Sequence, residues 1–135
     1  MSMKRQVNYI DLHKEDTMKT TIEKILDARE VLSRLAEKAL PVRQSYSLAK
    51  LVKAVNNELS VYEGERIKLC EKYGTLNKAA KKYDINDTDG FYRDSAVLLS
   101  QEVELDVKPI DISDLELSAQ DIINIEPLIE VINDD

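Results

Sequence analysis

From Ile22 onward, apolar side chains return every three or four positions. Ile25, Ala28, Leu32, Leu35 and Ala39 form one stripe, widened by Leu26 and Ala36, and this spacing predicts an amphipathic helix. Thr20 or Thr21 caps it, with Glu23 three residues after Thr20 at the capping-box distance. Pro41 ends it, because proline has no amide to donate and pushes the residue before it out of helical geometry. A longer series follows a short turn. Leu48, Val52, Val55, Leu59, Tyr62, Arg66, Leu69 and Tyr73 step by 4, 3, 4, 3, 4, 3 and 4, a mean period of 3.5 that favours a partner helix along a continuous seam. The second helix then has about 30 residues against about 20 in the first, so a turn or two of its seam is left for another element or a second copy. Gly74 follows as a C-cap. Gly64, inside the helix, costs up to about 1 kcal/mol relative to alanine and points to close approach of another backbone.

Beyond Gly74 the periodicity lapses. Residues 75–90 read as a linker, with Ala79, Ala80 and Tyr83 forming at most one helical turn before Asn86-Asp87-Thr88-Asp89-Gly90 breaks it. Phe91 to Gln101 predicts a third helix, with Phe91, Ser95, Leu98 and Leu99 inward and Asp87 or Asp89 as cap. Then the period becomes two. Val103, Leu105 and Val107 alternate with polar residues, and Ile110 and Ile112 resume the alternation after Pro109, which is the mark of a strand with one buried face. Such a strand needs a hairpin partner near Pro109 or a strand from another copy. Ser113-Asp114 and Ser118 are candidate caps, the latter with Asp121 at capping-box spacing, for a last helix through Ile122, Ile125, Leu128, Ile129 and Ile132 that Pro127 interrupts. The expected class is α+β, mostly α. It comprises a flexible arm over 1–17, a long antiparallel helical hairpin over 18–74, a linker over 75–90, and an acidic helix-strand-helix part over 91–135.

Composition narrows the function classes. In 135 residues, 43% are apolar and 33% charged, which is globular usage, and no apolar run approaches the roughly 20 residues of a membrane span. The first residues carry no apolar signal-peptide core, so a cytoplasmic protein is expected. Charge is distributed unevenly. Residues 1–83 hold 17 basic and 11 acidic side chains, whereas residues 84–135 hold 2 basic and 15 acidic. A net charge of −7 is therefore a part of +6 joined to a part of −13.

Candidate chemistry is sparse. The lone histidine, His13, has no supporting constellation in the arm, and the lone cysteine, Cys70, lies next to the seam near a helix C-terminus, where a small core residue is expected rather than a nucleophile. The loop Asp84, Asn86, Asp87, Asp89, Gly90 fails the calcium-loop spacing, which puts Asp89 where glycine belongs and Ser95 where glutamate belongs. Glu102 and Glu104 fall on the solvent face of the strand. Three glycines at 64, 74 and 90 form no phosphate loop. No catalytic residue, metal or cofactor is expected. Arg43, Lys50 and Lys53 at the start of the second helix, and Lys78, Lys81 and Lys82 after it, form a basic patch that suits the acidic part of the chain better than nucleic acid.

Three runs carry a resemblance: RQSYSLAKLVK from Arg43, EGERIKLCEKYG from Glu63, and EVELDVKPIDISDLE from Glu102. The chain resembles small uncharacterised phage and prophage proteins of Gram-positive bacteria that combine a helical hairpin, an acidic strand-like segment and a short terminal helix. The resemblance spans about residues 18–132, brings a phage context and implies no catalytic residues. The expectation is a non-catalytic accessory protein that acts through protein–protein contact and self-association. Its contact surfaces are the seam end (Tyr62, Arg66, Leu69, Tyr73) and the strand edge (Val103, Leu105, Val107, Ile110, Ile112). The alternative is an acidic nucleic-acid mimic that inhibits a host nucleic-acid-processing or defence complex. The third reading is a nucleic-acid binder through the basic hairpin.

Overall fold

Apolar residues at helical spacing and short alternating runs both find partners in the computed structural model, which describes residues 17–130. Its elements are β1 (Met18–Thr21), α1 (Ile22–Ala36), α2 (Val42–Tyr73), β2 (Gly74–Asn77), β3 (Lys82–Ile85), α3 (Thr88–Leu99), β4 (Glu102–Leu105), β5 (Ile110–Asp111), α4 (Ala119–Ile125), a 3-10 turn (Glu126–Leu128) and β6 (Ile129–Glu130). The fold is α+β and mostly α, with three two-stranded sheets among the described residues. Residues 1–16 of the expected arm over 1–17, with His13, lie outside the described residues, as does Ile132.

The residues expected to begin the hairpin and cap its first helix form a strand. β1 pairs antiparallel with β4, Met18 opposite Leu105 and Thr20 opposite Val103. Alternation turns these four side chains into the core and leaves Lys19 opposite Glu104 outside, an opposite-charge pair. The partner of the predicted strand is therefore neither a hairpin near Pro109 nor a second copy. Thr21 is the cap, its hydroxyl accepting from the Lys24 amide at 3.3 Å. Thr20 faces inward instead, and its hydroxyl has no hydrogen-bond partner among the described residues.

α1 ends at Ala36, five residues before Pro41, where Glu37 and Lys38 donate to the Arg34 and Leu35 carbonyls in i to i−3 bonds that tighten the last turn. Pro41 instead opens α2, its carbonyl accepting from Ser45 at 2.9 Å. Ala39 lies outside the helix and is exposed. Ile25, Ala28, Val31, Leu32 and Leu35 of α1 share the core with Leu48, Leu51 and Val55 of α2. The seam differs from the heptad reading: Leu51 and Cys70 are buried, while Val52 and Leu69 are half-buried. A straight helix drifts about 20° per heptad from a strict 3.5-residue repeat. In addition, α2 changes partner along its length, from α1 to α3.

The expected linker is a hairpin. β2 and β3 pair antiparallel from Gly74 opposite Ile85 to Asn77 opposite Lys82. The turn is closed by the Asn77 side chain accepting from the Ala80 amide at 3.1 Å and by Lys81 at a left-handed φ of 55°. The Lys- and Ala-rich turn has helical propensity, which masked the short strands on either side. Gly74 is not a left-handed cap, since its φ is −150° and it begins β2. The end of α2 is instead satisfied at Tyr73, whose carbonyl accepts from Asn86 and Asp87 at 2.8 and 3.1 Å.

Gly64 also departs from its reading, because a Cβ there would meet nothing within 4 Å. Gly64→Ala is therefore expected to raise stability by about 0.5–1 kcal/mol in urea denaturation. A decrease would reveal a backbone packed against it.

Asp87 caps α3, accepting from the Gly90 amide at 3.0 Å. Ser118 caps α4 through the Asp121 amide at 3.0 Å, and Pro127 falls in the 3-10 turn that follows. No helix starts at Ser113, whose amide donates to Asp111 Oδ1 at 2.9 Å in a side-chain turn. β5 and β6 pair in parallel, Ile110 opposite Ile129, and α4 packs on α1 with Ile125 and Leu128 buried.

Candidate interaction site

The strand residues expected at an edge are committed to the core. Val103, Leu105, Ile110 and Ile112 are buried and Val107 is half-buried. Val103 and Leu105 face inward from the β1–β4 ladder and Ile110 and Ile112 are buried beyond it, so these four side chains offer no outer contact surface.

The seam end is partly covered within the chain, with α3 packed on Tyr73 through Asp94 and Gly90. Tyr62, Arg66, Leu69 and Tyr73 are all half-buried. Arg66, the polar break in the seam, binds Glu63 through two bonds of 2.6 and 3.0 Å and reaches Cys70 Sγ at 3.6 Å. The guanidinium holds the Glu63 carboxyl below its ordinary value, and the same hydrogen bonds raise Arg66. Tyr73 donates its hydroxyl to Asp94 at 2.5 Å, and this bond, with Lys72 at 3.6 Å, lowers the Asp94 carboxyl. Gly90 makes room for the Tyr73 ring, since a Cβ there would lie 2.5 Å from Tyr73 Cε1.

The six basic residues do not form one patch. Arg43, Lys50 and Lys53 lie on the first turns of α2, and Lys78, Lys81 and Lys82 lie at the hairpin turn beyond its other end. The 20 residues of α2 from Lys53 to Tyr73, about 30 Å of helix, lie between the two clusters. None of the six forms an ion pair among the described residues, though Lys50 Nζ lies 4.6 Å over the Tyr46 ring. The contacts between the basic and acidic parts fall to other cations, Arg34 with Asp121 and Lys72 with Asp94.

Arg34 grips Asp121 through bonds of 2.7 and 3.3 Å, tying α1 to α4. The Arg34 hydrogen bonds hold the Asp121 carboxyl below the usual range and raise the guanidinium. A carboxyl lowered in the folded state adds stability that is fully present above its unfolded pKa and lost as pH falls through the folded one. Asp121→Asn is accordingly expected to destabilise at neutral pH, with the gap to the parent protein closing below about pH 4. Urea melts at stepped pH measure this, and a gap independent of pH would contradict it.

A surface that the seam reading missed runs along the outer side of the α1–α2 hairpin. Two adjoining hollows of about 190 and 310 Å³ share Ala36 and Val52. Leu32, Val55, Leu48 and Ala49 contribute further lining, with the cations Arg29, Lys38 and Lys53 at the margins. From Ser45 to Asn56 the groove follows α2 for about 17 Å, three helical turns. Small residues were the available signal: Ser33 and Ala36 on α1 and Ser45 and Ala49 on α2 leave space where larger side chains would close the hairpin.

At the other pole, Ile122 and Ile123 of α4 are 39% and 60% exposed. Among the described residues no helix is long and apolar enough to cross a membrane, and no group of three or more His, Cys, Asp or Glu side chains is placed to hold a metal ion. No protein-family model matches the chain, and no curated protein or solved structure is significantly similar to it.

Proposed function

We propose that the chain is a non-catalytic interaction protein that self-associates, acting as an accessory component in the cytoplasm of a phage or prophage host. The observation that carries this reading is the open groove between α1 and α2, with an aliphatic floor and cations at its margins, in a chain whose other part carries −13. Grooves of this kind accept an apolar segment, and surrounding charge selects the sign of what enters. The resemblance to small phage proteins supplies the setting.

The mimic reading needs carboxylates free on one face. Four of them, Asp87, Asp94, Asp111 and Asp121, are withdrawn from such a face by a cap, ion pairs and a turn. The nucleic-acid reading is weakened by the split of the basic residues into two distant clusters, each attached to an acidic body. Sedimentation velocity over a concentration series at low and high salt tests the proposal. The expected result is a heavier species that grows with concentration and recedes with salt. A single monomeric species under every condition would overturn it.

A further inference from the structure

We propose that self-association is head-to-tail: the acidic Ile122–Ile123 end of α4 in one copy seats in the α1–α2 groove of the next. This rests on the self-association reading above and names the two surfaces it uses.

The two surfaces are complementary in shape and charge. The groove is open, floored by the edges of the buried Leu32, Leu48 and Val55 with the half-buried Val52 and the small Ala36 and Ala49 above them, and Arg29, Lys38 and Lys53 at its margins form no ion pair among the described residues. Glu63 lies near enough to Arg29 to feel its charge, but Glu63 is already held by two bonds from Arg66. The projecting element has two adjacent exposed isoleucines, and from Pro109 to Glu126 the chain has no Lys or Arg; beyond Asp111, held in a turn, and Asp121, held by Arg34, it carries Asp114, Glu116 and Glu126. Beside Ile123, a hollow of about 290 Å³ is bounded by Asp27, Glu126 and Lys24, a net charge of −1, and has room for an arriving lysine. Isoleucine entering the groove removes apolar surface from water on both sides, while the surrounding charges set the orientation.

Placement on α1 excludes self-closure. Arg29, Ser33 and Ala36 border the groove, whereas Lys24, Asp27 and Arg34 border α4. At 100° per residue, Arg34 is 140° and Asp27 160° around the helix from Arg29. Groove and projection therefore lie on opposite sides of one helix. A copy cannot fill its own groove, and the contact is heterologous, so it extends from copy to copy instead of closing as a two-fold pair.

Two substitutions at exposed positions separate the surfaces. Ala49→Arg obstructs the groove and leaves the projection intact; Ile123→Arg removes the projection and leaves the groove intact. Each variant alone is expected to sediment as a monomer, and an equimolar mixture is expected to give a one-to-one dimer and nothing larger. Lys53→Glu is expected to weaken assembly, and Glu126→Lys in the same chain to restore it. A mixture that stays monomeric, or either arginine variant assembling like the parent, would overturn the interface. If the parent self-associates while the variants change nothing, self-association stands and this interface falls. If the parent is monomeric throughout, both fall.

Discussion

Leu105→Ala is expected to lower folding stability by about 2–5 kcal/mol, the range for truncating a large aliphatic side chain in a packed core. Leu105 is 2% exposed and sits opposite Met18 across the β1–β4 ladder, in the same cluster as Ile110, Ile125 and Leu128. Removing three carbons there leaves a cavity walled by α1, β1 and the C-terminal elements, none of which collapses without losing other contacts. Glu104→Ala, on the opposite face of the same strand, is the internal control and is expected to stay within about 0.5 kcal/mol. Urea denaturation of both variants decides the matter. If Leu105→Ala were as mild as Glu104→Ala and altered association instead, the strand would be the outward edge that its bare alternation suggested.

Gly74→Ala carries the second large effect, an expected loss of about 1–3 kcal/mol from overpacking. The backbone at Gly74 is extended, with φ −150°, so alanine meets no conformational penalty. The cost is steric. A Cβ would lie 2.5 Å from the Asp84 carbonyl oxygen, 3.0 Å from that of Cys70 and 3.1 Å from Ile85 Cδ1. Two of these three neighbours are backbone atoms, fixed by the β2–β3 ladder and by the last turn of α2. Relief requires the hairpin to lift, which also strains the Asn86 and Asp87 amides bonded to the Tyr73 carbonyl. Hydrogen exchange is expected to quicken first at those two amides. The same substitution at Gly64 is expected to have the opposite sign, so the pair separates steric crowding from helix propensity. Parental stability in Gly74→Ala would show that the hairpin does not approach α2 this closely.

The first two helices were legible because each buries a stripe long enough for its period to stand out, and the two short ones were marked by their caps. Ile25 through Leu35 and Leu48 through Val55 are recognisable as core by spacing alone, and Asp87, Ser118 and Pro127 act where local chemistry placed them. Four-residue strands give no such statistics. Met18-Lys19-Thr20-Thr21 shows one clearly apolar side chain, and only the distant alternation of β4 gives its inward threonine a meaning. The strand thus read correctly as half-buried and incorrectly as an open edge, since its partner lies before the first helix.

The candidate site was harder to read for a related reason. A heptad seam predicts that a helix needs a partner but does not name it, and α3 supplied one through Tyr73 and Asp94. The surface left open follows from what the hairpin lacks, bulk at Ser33, Ala36, Ser45 and Ala49. An absence of side-chain volume produces no periodic signal.

The β1–β4 ladder also governs the order in which the protein can be assembled during synthesis. Met18 and Leu105 are 87 residues apart along the chain and adjacent in space. At translation rates of roughly 5–20 residues per second, β1 leaves the ribosome several seconds before its partner exists. Until then, α1 and α2 can pair through their own short-range contacts, but the Met18 and Ile22 end of the core stays open to water and to other chains. Closing so long a loop delays this step relative to the helical contacts. Among the described strands β1 therefore waits longest for its partner, and nascent chains are most vulnerable to misassociation in that interval.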